Sequence, residues 1–173
     1  MVKNRVFLSE YSLFVKSTYK KAYLPQNFLQ SYLLRIKGYA MIQKYNQYLY
    51  FKTEELKQDY LNRLEKEKDS AKLLGEFLGY PKEACEVFSE ELNSSDLFED
   101  RLLVKINGLN FISYLRCLQK DLHYLENNGF LFEDIKIKIT YPKLELQYIL
   151  YLNEFYMEND FKNLVEEIGN SDY

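Results

Sequence analysis

The chain has 173 residues, 47% of them apolar and 28% charged, with a net charge of −3 at pH 7. These values are typical of a globular protein that buries its own core, and they exclude a largely disordered chain. The sequence has neither a signal-peptide core nor an apolar run of about 18 residues, so we expect a soluble protein in the cytoplasm that makes no membrane contact.

Charge is divided unevenly along the chain. Residues 1–52 contain nine Lys and Arg against one acidic residue, a net charge of +8, whereas residues 53–173 contain 14 against 25, a net charge of −11. Tyrosine is abundant, with 17 residues, and it suits contact surfaces because its ring is apolar and its tip polar. We expect a single domain, 1–173, with a basic helical N-terminal part (1–52) and an acidic remainder (53–173).

The basic N-terminal part is predicted to be helical. Ser9 is a good N-cap for a helix that buries Leu13 and Phe14, with a strand over 5–9 as the alternative. Pro25 suits the first turn of a second helix, whose wide apolar face should lie near the centre of the fold. That face consists of Phe28, Leu29, Tyr32, Leu33, Ile36, Tyr39, Ala40 and Ile42.

Two further helices are predicted on either side of a glycine and a proline. Thr53 caps a long helix that continues to about Leu78, with acidic residues in its first turn. Gly79 can end this helix in the left-handed conformation. Pro81 can open the next helix, which is expected to end before Asn93.

The segment that joins these two helices, residues 74–88, has the sequence LGEFLGYPKEACEVF. It resembles a segment of uncharacterised prokaryotic proteins of unknown function, in which a helix ending L-G-x-x-L-G-Y-P leads into a helix with cysteine near its start. Those proteins have paired cysteines after the proline, whereas this chain has Cys85 alone. Because that family has no known activity, the resemblance implies none. A corner between two closely packed helices explains the segment.

The second half of the chain is predicted to contain one strand among helices. Isoleucines alternate with polar residues over 133–141, which indicates a strand whose partner is 101–107, the N-terminal 5–9 or a second copy of the chain. Helices are predicted over 110–126, after Pro142 and near Phe161. The predicted fold class is therefore mostly α, a compact multi-helix domain to which a small two-stranded sheet could be added (α+β).

Sequence patterns for catalysis and for metal binding are missing. His123 is the single histidine, and Cys85 and Cys117 lie 32 residues apart, so the chain lacks a C-x-x-C or H-x-x-x-H ligand pair. The six glycines form neither a G-x-G-x-x-G nor a Walker loop. We therefore expect no cofactor, no metal and no catalytic residues, and the protein is more simply explained as a non-enzyme.

The clearest candidate contact residues lie in the basic N-terminal part. Cations beside aromatic rings are what single-stranded nucleic acid requires, because cations neutralise phosphates and rings stack on bases. Alternatively, these cations dock on the acidic remainder of the chain and the tyrosines fill the core. The candidates are Arg35, Lys37, Tyr39, Lys44, Tyr45 and Tyr48.

Three functions are consistent with these patterns. The first is a binding or assembly module that contacts a protein partner or a second copy of itself. The second is a nucleic-acid-binding protein that uses the Tyr-rich segment 1–52. The third is a small-ligand-binding protein or an enzyme with a pocket near Tyr80 and Cys85.

Overall fold

A computed structural model describes residues 6–44, 46–94, 96–128 and 135–151, together with Asn163 and Glu166. These residues contain six α-helices and seven β-strands, and the strands form two antiparallel sheets, one of three strands and one of four. The prediction of a mostly α fold with at most a small two-stranded sheet is therefore wrong. The protein has an α+β fold.

The helices and strands alternate in short groups along the chain. The helices are α1 (Glu10–Lys16), α2 (Phe28–Ile36), α3 (Glu54–Lys66), α4 (Ser70–Leu78), α5 (Lys82–Ser94) and α6 (Leu118–Asn127). The strands are β1 (Ala22–Tyr23), β2 (Ala40–Lys44), β3 (Gln47–Phe51), β4 (Arg101–Ile106), β5 (Leu109–Tyr114), β6 (Lys136–Tyr141) and β7 (Leu146–Tyr151). The N-terminal sheet has the order β1-β3-β2, and the C-terminal sheet has the order β5-β4-β6-β7.

Several helix ends lie where the sequence predicts them. The side chains of Ser9 and Thr53 each accept a hydrogen bond from a backbone N–H in the first turn, of α1 and α3 respectively. Gly79 ends α4 in the left-handed conformation, with φ of 82°. The long helix predicted from Thr53 is two helices, because the side chain of Asp69 caps α4 as a separate helix.

The helix predicted after Pro25 is shorter than expected. Asn27 caps α2, and the chain leaves the helix at Gly38, where φ is +74°. It then forms a hairpin of β2 and β3 in place of further helix. Leu34 is the buried residue of α2. The prediction that the apolar face of this helix lies at the centre of the fold is therefore wrong. The other large side chains of α2 point outward.

The C-terminal sheet contains the strand predicted over 133–141, seen as β6. Its neighbour β4 corresponds to 101–107, one of the expected partners. The helix predicted over 110–126 is wrong in its first part, because β5 turns back onto β4 across Asn107 and Gly108. Both turn residues have positive φ, of 45° and 80°, as a tight hairpin turn requires.

The chain directly after β6 differs from the predicted helix. The helix predicted after Pro142 is wrong over the described residues, where a short 3-10 turn leads into β7. Of the short helix predicted near Phe161, the structure describes Asn163 and Glu166, which are helical, whereas Phe161 itself lies outside the described residues.

In the described part of the chain, three clusters of buried side chains hold the helices to the sheets. One lies between the C-terminal sheet and α6, one between the N-terminal sheet and helices α3 and α4, and one around α1, α2 and the N-terminal sheet. Tyr80, between α4 and α5, packs against the first two clusters. A Cβ on Gly75 would lie 2.5 Å from Sγ of Cys85, so the close packing of α4 on α5 needs a glycine there.

The N-terminal end is tied to the second half of the chain. The backbone N–H of Phe7 donates to Oδ1 of Asn107 at 2.8 Å, beside the turn between β4 and β5.

The length and the polarity of a helix decide whether it can cross a membrane. Over the described residues, every helix is too short or too polar to cross a membrane.

Candidate functional site

Helix α2 presents most of its large side chains to solvent. The exposed fractions are 85% for Phe28, 63% for Leu29, 52% for Tyr32, 36% for Leu33 and 66% for Ile36. At 100° per residue these five positions span about 140° of the helix surface, opposite Leu34. We call this set of five side chains the α2 face. A contiguous apolar patch of this kind is typical of a surface that contacts another molecule.

A groove runs along one edge of the α2 face, between α2 and β3. Its volume is about 320 Å³. The guanidinium carbon of Arg35 lies 4.4 Å from the ring centre of Tyr48, which is cation–π stacking. Hydrogen bonds to Tyr50 and Tyr48 raise the pKa of Arg35, so the side chain carries its charge at any physiological pH. The groove therefore combines a fixed cation with aromatic walls, which include Phe28 and Tyr32.

The positive charge of this region is not neutralised by the acidic remainder of the chain in the described residues. Glu10, the one acidic residue of 1–52, pairs with the buried Lys20 at 3.3 Å. Over the described ranges, no ion pair links a cation of the N-terminal part to an acid of residues 53–173. Lys37 is exposed at the C-terminal end of α2. The charges beside the α2 face are thus available to a binding partner.

The structure brings together some of the predicted contact residues and separates others. Arg35 and Tyr48 meet in the groove, and Lys37 is the C-cap residue of α2, two residues after Arg35. Tyr39 is directed inward, with its ring centre 5.1 Å from that of Phe14. Two further candidates complete the set. Lys44 ends β2 and its side chain is not described, and Tyr45 lies outside the described residues.

Tyr80 and Cys85 belong to a different part of the molecule. They line a cavity between the α4–α5 hairpin and strands β4 and β5. The Tyr80 ring stacks on Phe111 with ring centres 6.2 Å apart. Burial raises the pKa of Cys85 to about 12, so its thiol stays protonated at neutral pH and is a poor nucleophile. The cavity is therefore better suited to holding a ligand than to cysteine chemistry.

The charge pattern of the sequence predicts the cations of this surface, whereas its apolar periodicity places the α2 face in the core. Six of the nine residues of α2 are large and apolar, so periodicity does not single out one buried side. The useful signals were Asn27 and Gly38, which limit the helix to about two and a half turns and leave it too small to be enclosed on all sides.

The described residues show no cluster of three or more His, Cys, Asp or Glu side chains that could hold a metal ion. The α2 face and its groove are thus built from apolar, aromatic and basic groups. No protein-family model, no curated protein and no solved structure matches this chain, so the chemistry of the surface itself is the guide to what it binds.

Proposed function

We propose that the protein is a cytoplasmic binding module that contacts a partner protein through the α2 face. The observation that supports this function is the exposure of five large apolar side chains on one short helix. Burial of apolar surface contributes about 25 cal/mol per Å². Single exposed apolar side chains are common on proteins, but a contiguous patch of them favours a contact surface.

The charges around the α2 face indicate the chemistry of the partner. Arg35 and Lys37 border the patch, and residues 11–52 contain no acidic side chain. Complementary charge speeds association and selects the correct partner. The partner we propose presents an apolar stripe flanked by carboxylates, as an acidic amphipathic helix does. Packed against the α2 face, such a helix would pair its leucines with the patch and its carboxylates with the two cations.

The first test uses a synthetic amphipathic peptide with leucines at helical spacing and Glu on both flanks. We expect this peptide to bind more tightly than the same peptide with Lys in place of Glu. Replacing Ile36 with Glu should raise the dissociation constant of the acidic peptide about 30-fold, because a central interface residue is lost. Phe28→Glu should also raise this dissociation constant. Fluorescence anisotropy measures each dissociation constant.

Leu97→Glu is the matched control, since Leu97 is 72% exposed and lies between α5 and β4. It should leave the affinity unchanged. Equal binding of the two peptides, or equal affinity of the wild type and Ile36→Glu, would contradict a protein partner of this chemistry. Sedimentation of the protein alone and binding to anionic vesicles test the two other occupants of the face, a second copy and a lipid surface.

A second candidate function is binding of single-stranded nucleic acid in the groove. It is favoured by the stack of Arg35 on Tyr48 and by a second ring pair, Phe28 and Tyr32, with centres 6.4 Å apart. Bases stack on aromatic rings, and a phosphate backbone needs nearby cations that are not already paired. Both features occur on one side of α2.

This function predicts that Arg35→Glu combined with Lys37→Glu weakens binding of a mixed-sequence oligonucleotide by about tenfold or more for all sequences alike. The affinity of the wild type should fall with salt, with a logarithmic slope of about −0.7 for each neutralised phosphate of a single strand. Lys136→Glu, an exposed lysine of β6, is the control. A wild type that fails to bind at low salt would exclude this second function and leave the first intact.

A further inference from the structure

A second site lies in the cavity beside the edge strand of the C-terminal sheet. The cavity has a volume of about 400 Å³, within the range of about 300–1,000 Å³ that small-molecule sites occupy. Its walls are almost entirely apolar. The principal wall residues are Leu74, Leu78 and Phe88 from the two helices and Val104, Phe111 and Ile112 from the two strands.

Small residues in the helices keep this space open. Gly75 and Ala71 of α4 and Ala84 of α5 line the cavity where larger side chains would fill it. The close approach of Gly75 to Cys85 fixes the angle at which the two helices meet above the strands. An aliphatic chain in this space would gain dispersion contacts and leave water, both of which favour binding.

One end of the cavity is polar and positively charged. Lys105 of β4 and Asn110 of β5 line it and lie directly opposite each other in the strand register. On its other side Lys105 faces Lys138 of β6, also directly opposite. Like charges in this arrangement destabilise a sheet, and among the described residues neither lysine forms an ion pair. An anion at this end of the cavity would relieve their repulsion.

We infer that this cavity binds an aliphatic chain with an anionic head group, the chain between the α4–α5 hairpin and the strands and the head group at Lys105. Asn110 can donate a second hydrogen bond to the head group from its side-chain amide. Cys85 contributes to the wall and takes no part in a covalent step. The inference is independent of the α2 face, which lies on another helix.

Isothermal titration with dodecanoate and with dodecanol tests this assignment. We expect dodecanoate to bind about tenfold or more tightly than the alcohol, as a charge-assisted hydrogen bond to Lys105 implies. Lys105→Glu should remove this preference while leaving dodecanol binding unchanged. Leu74→Trp should weaken both ligands because the indole occupies the cavity. Lys37→Glu makes the same charge change on α2 and should have no effect.

Lys105 is exposed, so Lys105→Glu should fold. The test therefore stays valid even if Leu74→Trp does not fold. Failure of dodecanoate to bind, or equal dodecanoate affinity in the wild type and Lys105→Glu, would overturn the inference. Binding to anionic vesicles without binding of monomeric dodecanoate would overturn it too, since that result indicates a membrane surface. Ile36→Glu should leave dodecanoate binding unchanged, which separates this site from the α2 face.

Discussion

Replacing Glu10 with Ala should lower the free energy of unfolding by about 3–5 kcal/mol, because it leaves a buried ammonium group without its counter-charge. Lys20 is fully buried, and its Nζ lies 3.3 Å from the Glu10 carboxylate. The rings of Tyr23 and Tyr80 flank this ammonium, with their centres 5.6 and 5.5 Å away. Burial lowers the pKa of Lys20, which reflects the cost of holding the charge inside the protein.

Glu10 has a second role that the same substitution removes. Its Oε1 accepts a hydrogen bond from the backbone N–H of Asn110 at 3.0 Å, across the junction between α1 and β5. Glu10→Gln keeps an acceptor for that N–H and removes only the charge. The double variant Glu10→Gln with Lys20→Met removes both charges and should recover most of the lost stability, because a buried ion pair is often replaceable by apolar groups.

Urea unfolding monitored by circular dichroism measures these differences. Glu54→Ala is the matched control, since Glu54 pairs with Lys57 on the surface of α3 and such pairs contribute about 0–1 kcal/mol. If Glu10→Ala and Glu54→Ala lower the free energy of unfolding by the same small amount, Glu10 does not stabilise a buried cation.

The free energy of unfolding of the wild type should fall by about 3 kcal/mol between about pH 4 and pH 6 because Asp121 loses its proton, and Asp121→Asn should remove this change. Asp121 of α6 is fully buried, and burial raises its pKa to about 6, against an ordinary value of about 3.9. The folded protein thus holds this proton more tightly than the unfolded chain does. The stability contributed by the protonated carboxyl is fully present below about pH 4 and is lost as the pH rises through about 6.

The hydrogen bonds of Asp121 explain why asparagine is the right replacement. Oδ1 accepts from the backbone N–H of Ala84 at 3.1 Å, and Oδ2 accepts from Ser113 at 2.6 Å. An asparagine oxygen can keep the first bond, and its amide can donate to the Ser113 hydroxyl. The variant therefore removes the titration without leaving the N–H at the start of α5 unpaired.

Urea unfolding across a pH series provides the measurement, as the difference in unfolding free energy between the wild type and Asp121→Asn. That difference should change steadily from pH 4 to pH 6. Asp59→Asn, at an exposed position of α3, should show no such trend. Parallel pH profiles for wild type and Asp121→Asn would show that this carboxyl does not titrate in that range.

Several helix ends could be predicted from the sequence, whereas the break between α3 and α4 could not. The caps at Ser9 and Thr53 and the left-handed Gly79 each depend on a few adjacent residues. The break between α3 and α4 was missed because apolar spacing continues through it, although Asp69 is a good cap.

The hairpin of β4 and β5 was predicted wrongly for a different reason. Asn107 followed by Gly108 is a strong hairpin signal, and both residues have the positive φ that such a turn needs. The helical spacing of leucines in α6 continues backwards to Phe111, so this pattern predicts helix over residues that form β5. A residue pair with a clear conformational requirement was the better guide here.

The residue types of the groove beside α2 could be predicted from the sequence, but its geometry could not. Arg35 and Tyr48 were selected from charge and ring content, and they do stack on each other. The outward direction of α2 depends on Leu34 packing with Phe14 and Tyr50, contacts made across a sheet that the sequence did not reveal. The exposure of a helix face therefore depends on the fold of the segments packed around the helix, which the helix's own sequence does not determine.

The tie between Phe7 and Asn107 has a consequence for synthesis on the ribosome. The N-terminal sheet and the cluster around Leu34 use residues of the first 51 alone, so they can form early. Asn107 and Asn110, which bind Phe7 and Glu10, emerge about 100 residues later, or about 5–20 s at ordinary elongation rates. Residue 51 precedes Asn107 by 56 residues, or about 3–11 s at these rates, and during that time the α2 face can form on the nascent chain before the C-terminal sheet exists.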